Sequence, residues 1–234
     1  MKNIIITGAS RGIGKEAALA LAKKGAVKIL VIARSQKNLE ELKASILLES
    51  PSTEVFIYPF DLLSGNYEDL KRFTNQNFQQ LDILINNAGH LVVKPFMEMN
   101  DDDFDSQFSI NVKSVYKICQ IAIPLMKRGG HIVNISSMGG VQGSVKFPGL
   151  SLYSASKGAV SLLTESLAAE LVGQEISVNA LAFGAVDTDM LRSAFPDFKA
   201  PLSASEMGEF LADFAWSKGK FYNGKVLPVS SSTP

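Results

Sequence analysis

Short apolar runs alternate with helix-periodic segments along the whole chain. Ile4-Ile5-Ile6 reads as the first strand, and a helical pattern over 13–23 follows it through a glycine-bearing turn. The apolar run at 29–33 suits a strand buried on both faces, and helical periodicity returns over 39–48. Pro51-Ser52-Thr53 breaks that helix before a strand at 55–58; a helix over 67–78 and a strand at 82–85 come next. A long helix is expected over about 103–126, with Pro124 ending or bending its last turn. The order continues with a strand at 131–135, a helix at 151–171 and a strand at 176–182. Ser203-Ala204-Ser205-Glu206 has the form of a capping box before a helix reaching Trp216, and Val226–Val229 closes the order as an edge strand. No linker, repeat or low-complexity tract interrupts the alternation, so residues 1–234 read as one α/β domain. Its parallel sheet is doubly wound, with helices on both faces and the chemistry at the carboxyl ends of the strands.

Two turns stand at such strand ends, Thr7-Gly8-Ala9-Ser10-Arg11-Gly12-Ile13-Gly14 and Asn86-Asn87-Ala88-Gly89. The first runs from a strand directly into a helix N-terminus. That geometry aims unpaired N–H groups and the positive end of the helix dipole at the turn, which suits a pyrophosphate. Gly8 permits the tight turn, Gly12 lets a ligand approach the backbone, and Gly14 lets helix and strand pack closely. Read structurally, the same glycines make only a close strand–helix junction.

Composition narrows the function classes. At 234 residues and 46% hydrophobic the chain buries a substantial core. Its 23 basic and 23 acidic side chains balance, which gives no support to a nucleic-acid or acidic-membrane partner. Cys119 is the one cysteine, leaving no intrachain disulfide or cysteine-based zinc site, and two histidines without a tight carboxylate cluster make a metal site improbable. The early strand leaves no room for a signal peptide, and no apolar run is long enough to span a bilayer, so a cytoplasmic protein is expected.

Three further segments concentrate reactive side chains: Asn111 in the long helix, Asn134-Ile135-Ser136-Ser137 at a strand end, and Tyr153-Ser154-Ala155-Ser156-Lys157 early in a helix. Tyr153 and Lys157 are four apart and share a helical face. An ammonium near a phenol favours the phenolate, which would lower the Tyr153 pKa and make it an acid or base near neutrality. Ser137 is placed to hydrogen-bond a carbonyl oxygen where charge develops. The spacing alone is weak, because Tyr67-Glu68-Asp69-Leu70-Lys71 repeats it; that copy lies in a polar helix with no serine-bearing strand end before it and reads as surface.

In this order the motifs resemble the short-chain dehydrogenase/reductase family: Thr7-Gly8-x-x-x-Gly12-x-Gly14, Asp61, Asn86-Asn87-Ala88-Gly89, Asn111, Ser137, Tyr153-x-x-x-Lys157, Asn179, and Gly184 with Thr188. The match is close from Ile4 to about Met190 and loose beyond. The resemblance implies a Rossmann-type sheet of about seven strands, a nicotinamide cofactor and a small carbonyl or alcohol substrate. It gives Tyr153 the role of proton donor, Ser137 that of orienting the carbonyl, Lys157 that of holding the ribose and lowering the Tyr153 pKa, and Asn111 that of a proton relay. By the same resemblance Gly8, Ser10, Arg11, Gly12, Ile13 and Gly14 cradle the dinucleotide, with Ala88 and Gly89 also against it. Asn87 approaches the adenosine-side ribose, Asp61 with Leu62 meets the adenine, and Gly184, Val186 and Thr188 flank the nicotinamide. Family members are commonly homodimers or homotetramers joined through the helices equivalent to 103–126 and 151–171.

Charge selects between cofactors. The second strand ends in Ala33-Arg34-Ser35 without a carboxylate, and Arg11 lies in the glycine turn; two guanidinium groups converging on one 2′-phosphate favour NADP(H) over NAD(H). Three features depart from the family pattern: about three extra residues between Ser137 and Tyr153, Phe183 where proline usually precedes Gly184, and the tail Val229-Ser-Ser-Ser-Thr-Pro234 in place of Asp-Gly-Gly. His131 opens a strand and reads as structural, whereas His90 follows Gly89 near the expected mouth. Asp101-Asp102-Asp103 reads as favourable charge at a helix start. The 190–198 stretch is either a substrate lid or ordinary loop packing. A general carbonyl reductase is the broad expectation. Within the family, 3-oxoacyl-carrier-protein reductase is the alternative, with Lys127 and Arg128 as docking cations but Gln174 and Glu175 where a second basic contact is expected. A non-catalytic dinucleotide sensor or scaffold is the alternative of another class; it would not need Asn111, Ser137, Tyr153 and Lys157 together.

Overall fold

The computed structural model describes residues 1–231. Seven parallel strands form one sheet in the order β3-β2-β1-β4-β5-β6-β9. They are β1 (Lys2–Thr7), β2 (Val27–Ala33), β3 (Glu54–Pro59), β4 (Leu81–Asn86), β5 (Met126–Ser137), β6 (Ser177–Phe183) and β9 (Val226–Val229). A pair of short strands, β7 (Val186–Asp187) and β8 (Leu202–Ser203), lies apart. Alternation along β1 sends Ile4 and Ile6 to one face and Ile5 to the other, and all three are buried. On the first face pack α1 (Gly12–Ala22), α2 (Gln36–Glu49) and α8 (Ala204–Ser217); on the second pack α3 (Tyr67–Asn77), α5 (Ser114–Ala122) and α6 (Ser151–Glu170). The fold is therefore the doubly wound α/β sheet that the hydrophobic pattern implies. The sheet reverses direction of growth between β1 and β4, whose register pairs Thr7 with Asn86 and so brings the two motif turns side by side.

The expected long helix is instead composite. α4 (Asp101–Phe108) begins at a reciprocal capping box between Asn100 and Asp103, and its aspartates occupy the first turn as the dipole favours. A π-helical segment, Ser109–Lys113, then joins α4 to α5 and buries Asn111 to 1% exposure. Past α5 a tight turn over Ile123–Leu125 contains Pro124, and β5 starts at Met126, earlier than the apolar run suggests. The Ser203–Glu206 capping box is present at α8. The departing tail is described only to Ser231; Ser232, Thr233 and Pro234 lie outside the described residues.

Candidate active site

The glycine turn is built as the sequence requires. Gly8 and Gly12 have φ of +68° and +56°, and a Cβ on Gly14 would stand 2.4 Å from Asn87 Nδ2 and 2.5 Å from the Gly8 carbonyl oxygen. Asn87 donates through Nδ2 to the carbonyls of Thr7 and Gly8, both at 3.1 Å, while the Thr7 hydroxyl accepts from the N–H groups of Asn87 and Ala88 at 3.2 Å. Asn87 thus braces the two turns together, and its amide N–H groups are spent on that brace.

Helix α1 starts without a side-chain cap, as α6 does at Leu150 and unlike most of the other helices. Side chains cap α2 (Ser35), α3 (Asn66), α4 (Asn100), α8 (Ser203) and α7 (Asp189–Ala194, capped by Thr188). At α1 the capping position is Arg11 in extended backbone, with no side-chain cap and no acidic residue in the first turn. Its leading N–H groups therefore remain available to an anion, and the residues present fit a dinucleotide pyrophosphate.

Across the switch point the reactive side chains converge. Lys157, 3% exposed, donates from Nζ to the Ile135 carbonyl at 2.8 Å, and Nζ stands 5.8 Å from the Tyr153 ring centroid. A Cβ on Gly89 would lie 3.5 Å from both Lys157 Nζ and Asn111 Oδ1, so these two groups share one wall of the second turn. Asn111 accepts from the His90 N–H at 2.7 Å and donates to the His90 carbonyl and the Ser156 hydroxyl, both at 2.9 Å; Ser156 in turn donates to the Tyr153 carbonyl at 2.7 Å. Ser137 ends β5, accepts from the Gly139 N–H at 3.2 Å and is hydrogen-bonded to the Tyr153 side chain. Hydrogen bonds thus link Asn111, Ser156, Tyr153 and Ser137, and Lys157 stands beside them with its ammonium held on the Ile135 carbonyl.

Electrostatics correct one expectation. Burial pushes the Tyr153 hydroxyl up to about 12, opposed by the Ser137 hydrogen bond, so in the protein alone it is not lowered. Burial likewise pushes Lys157 down to about 8. The half-buried tyrosine keeps its proton through the neutral range, while the fully enclosed lysine sits close to its own titration.

Other expected contacts are placed less directly. The Asp61 carboxylate accepts from the Leu63 N–H and the Ser64 hydroxyl within its own turn, and the Leu62 carbonyl accepts from the Tyr67 hydroxyl at 2.7 Å. Thr188 caps α7 through the Leu191 N–H, with its methyl 3.5 Å from where a Gly12 Cβ would lie. Val186 is buried, and a Cβ on Gly184 would strike Ser230 Oγ at 2.4 Å. Phe183 extends β6 in register with both Ser137 and Val229, a position where proline would offer no N–H. The long 138–150 loop is tied internally: Ser144 and the Lys146 ammonium both donate to the Val141 carbonyl. Arg34 stands exposed at the end of β2, and its charge helps disfavour protonation of His90, after burial and against Asp103.

Arg11 faces Asp189 across 3.6 Å. One expectation fails on geometry. Lys127 and Arg128 lie at the amino end of β5, ten residues and on the order of 30 Å of strand from Ser137, and both are paired, with Asp82 and Glu175. Sequence reasoning also missed Lys15, Asn38 and Asp189, which with Ser10 and Arg11 line a cleft of about 430 Å³ beside the glycine turn. A side chain at the third position of a serine-capped helix, as Asn38 is, was the available signal.

The short chain dehydrogenase family model matches residues 2–199. The chain belongs to the short-chain dehydrogenase family. It is 34% identical to a 3-oxoacyl-[acyl-carrier-protein] reductase of Thermotoga maritima, over 81% of this chain and 76% of that protein. It is 35% identical to Carbonyl reductase [NADPH] 2 of Sus scrofa, over 82% and 75%. Among solved structures, a short chain dehydrogenase from Burkholderia cenocepacia J2315 in complex with NADP superposes with a TM-score of 0.87 at 27% identity, covering 99% of this chain and 97% of that one. As a short-chain dehydrogenase the protein is an oxidoreductase that uses a nicotinamide cofactor on carbonyl and alcohol groups. Among the described residues no helix is long and apolar enough to cross a membrane, and no cluster of three His, Cys, Asp or Glu side chains forms a metal site.

Proposed function

We propose that this short-chain dehydrogenase is an NADP(H)-dependent carbonyl reductase working through Asn111, Ser137, Tyr153 and Lys157. The observation that carries the reading is the hydrogen-bonded set of Asn111, Ser156, Tyr153 and Ser137, with the Lys157 ammonium 5.8 Å from the Tyr153 ring, across the switch point from the uncapped start of α1. The cofactor, when bound, supplies the hydride. Ser137 orients the carbonyl oxygen by hydrogen bonding, and Tyr153, which burial keeps protonated, gives that oxygen its proton as the alcohol forms. Lys157 holds the ribose and opposes with its charge the burial that makes a tyrosinate costly. Asn111, fixed by His90 and Ser156, keeps the route by which a proton returns from solvent.

Arg34 and Arg11 support NADP(H), and the NADP complex of the Burkholderia protein accords with that choice. The position of Lys127 and Arg128 disfavours carrier-protein docking beside this protomer's own Ser137. Exposed Phe104 and Tyr116 on the α4–α5 face and Leu162 on α6 support a homodimer or homotetramer of single-domain protomers. Titrating purified protein with NADPH and NADH, following nicotinamide fluorescence, tests the cofactor. NADPH should bind more tightly, and Arg34→Asp should erase most of that preference. Tight cofactor binding with no turnover of any carbonyl would turn the reading toward a sensor.

A further inference from the structure

The cleft beside the glycine turn is crossed by a short chain of ion pairs. Arg11 Nη1 faces Asp189 Oδ2 at 3.6 Å, while Asp189 Oδ1 accepts from Arg192 Nη2 at 2.7 Å, and Arg192 also grips Asp187. One carboxylate is thereby shared between a guanidinium on the glycine turn and another on α7. Both ends are anchored: Arg11 immediately precedes α1, and Asp189 is the first residue of a helix capped by Thr188. The Thr188 methyl stands 3.5 Å from where a Gly12 Cβ would lie, so the two segments run close together. Arg11 therefore already has an anionic partner before any phosphate arrives.

We propose that Asp189 is a specificity-determining residue that occupies Arg11 as an internal substitute for the cofactor's 2′-phosphate, so that NADP(H) must displace it and NAD(H) need not. The inference rests on Arg11 being a 2′-phosphate ligand, as in the function proposed above. Displacement leaves no stranded carboxylate, because Asp189 keeps Arg192. A phosphate dianion offers Arg11 more charge and a matching fork of oxygens, so it wins the exchange. The Arg11–Asp189 pair is solvent-exposed, at 61% and 54%, so its grip is weak and the competition amounts to about a two- to fivefold change in affinity.

The test is a set of NADPH and NADH dissociation constants at low salt for wild type, Asp189→Asn, Arg11→Ala and the double variant. Asp189→Asn should bind NADPH about two- to fivefold more tightly with NADH affinity unchanged, the latter also reporting that the fold is intact. Arg11→Ala should weaken NADPH, and the double variant should match Arg11→Ala, because Asp189 acts through Arg11. The proposal is overturned if Asp189→Asn leaves NADPH affinity unchanged, strengthens both cofactors alike, or keeps its gain without Arg11. If Arg11→Ala itself leaves NADPH affinity unchanged, the assignment of Arg11 to the phosphate falls with it; a loss there beside a silent Asp189→Asn sinks the internal-anion idea alone.

Discussion

The chain contains the Tyr-x-x-x-Lys spacing twice, and the two copies have opposite fates. At α3, Tyr67 packs edge-on against Phe60 with ring centroids 5.1 Å apart and gives its hydroxyl to the Leu62 carbonyl, while Lys71 is exposed beside Glu68. At α6, Tyr153 has Ser137 as its partner, and Lys157 is sealed against the Ile135 carbonyl. Acidity does not separate them, because burial pushes both tyrosines up to about 12. Location does. Helix α3 follows the edge strand β3, whereas α6 packs against the interior strands β5 and β6, where the ends of β4 and β5 supply a turn and a serine. A helical spacing becomes chemistry only when the tyrosine's partner is a group that can also serve a substrate.

The comparison breaks most decisively at the hydroxyls. Tyr153→Phe should reduce carbonyl turnover about ten-thousandfold with NADPH affinity retained, whereas Tyr67→Phe should leave turnover within about twofold; equal losses would end the distinction. Next come the lysines. Lys157→Met should cost about a thousandfold in kcat without lowering the melting temperature, since an enclosed cation is replaced by an apolar side chain, and Lys71→Met should change neither.

A third buried titratable group sharpens the contrast by acting on stability instead of turnover. His131 is 3% exposed, and burial pushes it down to about 4. Between that value and about 6.5 the unfolded chain binds the proton that the native state refuses, so stability falls as pH drops through this window, by about 3 kcal/mol at most. Denaturant melts at pH 7 and pH 4.5 should show His131→Gln losing less stability than wild type, while the neutral-pH turnover of the two agrees. The smallest effect belongs to Tyr67→Phe, which should cost about 1 kcal/mol by chemical denaturation through the lost bond to Leu62.

The β1 turn, the alternation of strands and helices and the candidate residues that the structure brings together were legible because each is marked by residue type: glycines with positive φ, apolar runs, and polar side chains near strand ends. The π-helical turn at Asn111 left no such mark, since its apolar positions fit ordinary helical periodicity on either side. The start of β5 was missed because Lys127-Arg128-Gly129-Gly130 carries no hydrophobic signal, and the β4–β5 register is irregular between Leu81 and Ile83. The placement of Lys127 and Arg128 was nevertheless available: residues that open a parallel strand cannot stand beside a serine that closes it. The Arg11–Asp189 pair joins residues far apart in sequence, and charge alone does not say which anion an arginine meets first. The raised tyrosine pKa depends on burial, a three-dimensional quantity that helical spacing does not contain.

The bare start of α1 has a consequence for how long the molecule lasts. A helix whose opening is finished by a ligand is an incomplete part, and supplying the ligand at about a hundred times its dissociation constant adds about 2.7 kcal/mol to the folded state. Chaperones and proteases act on the opened chain, so the abundance of this protein would follow the supply of its dinucleotide as closely as its rate does.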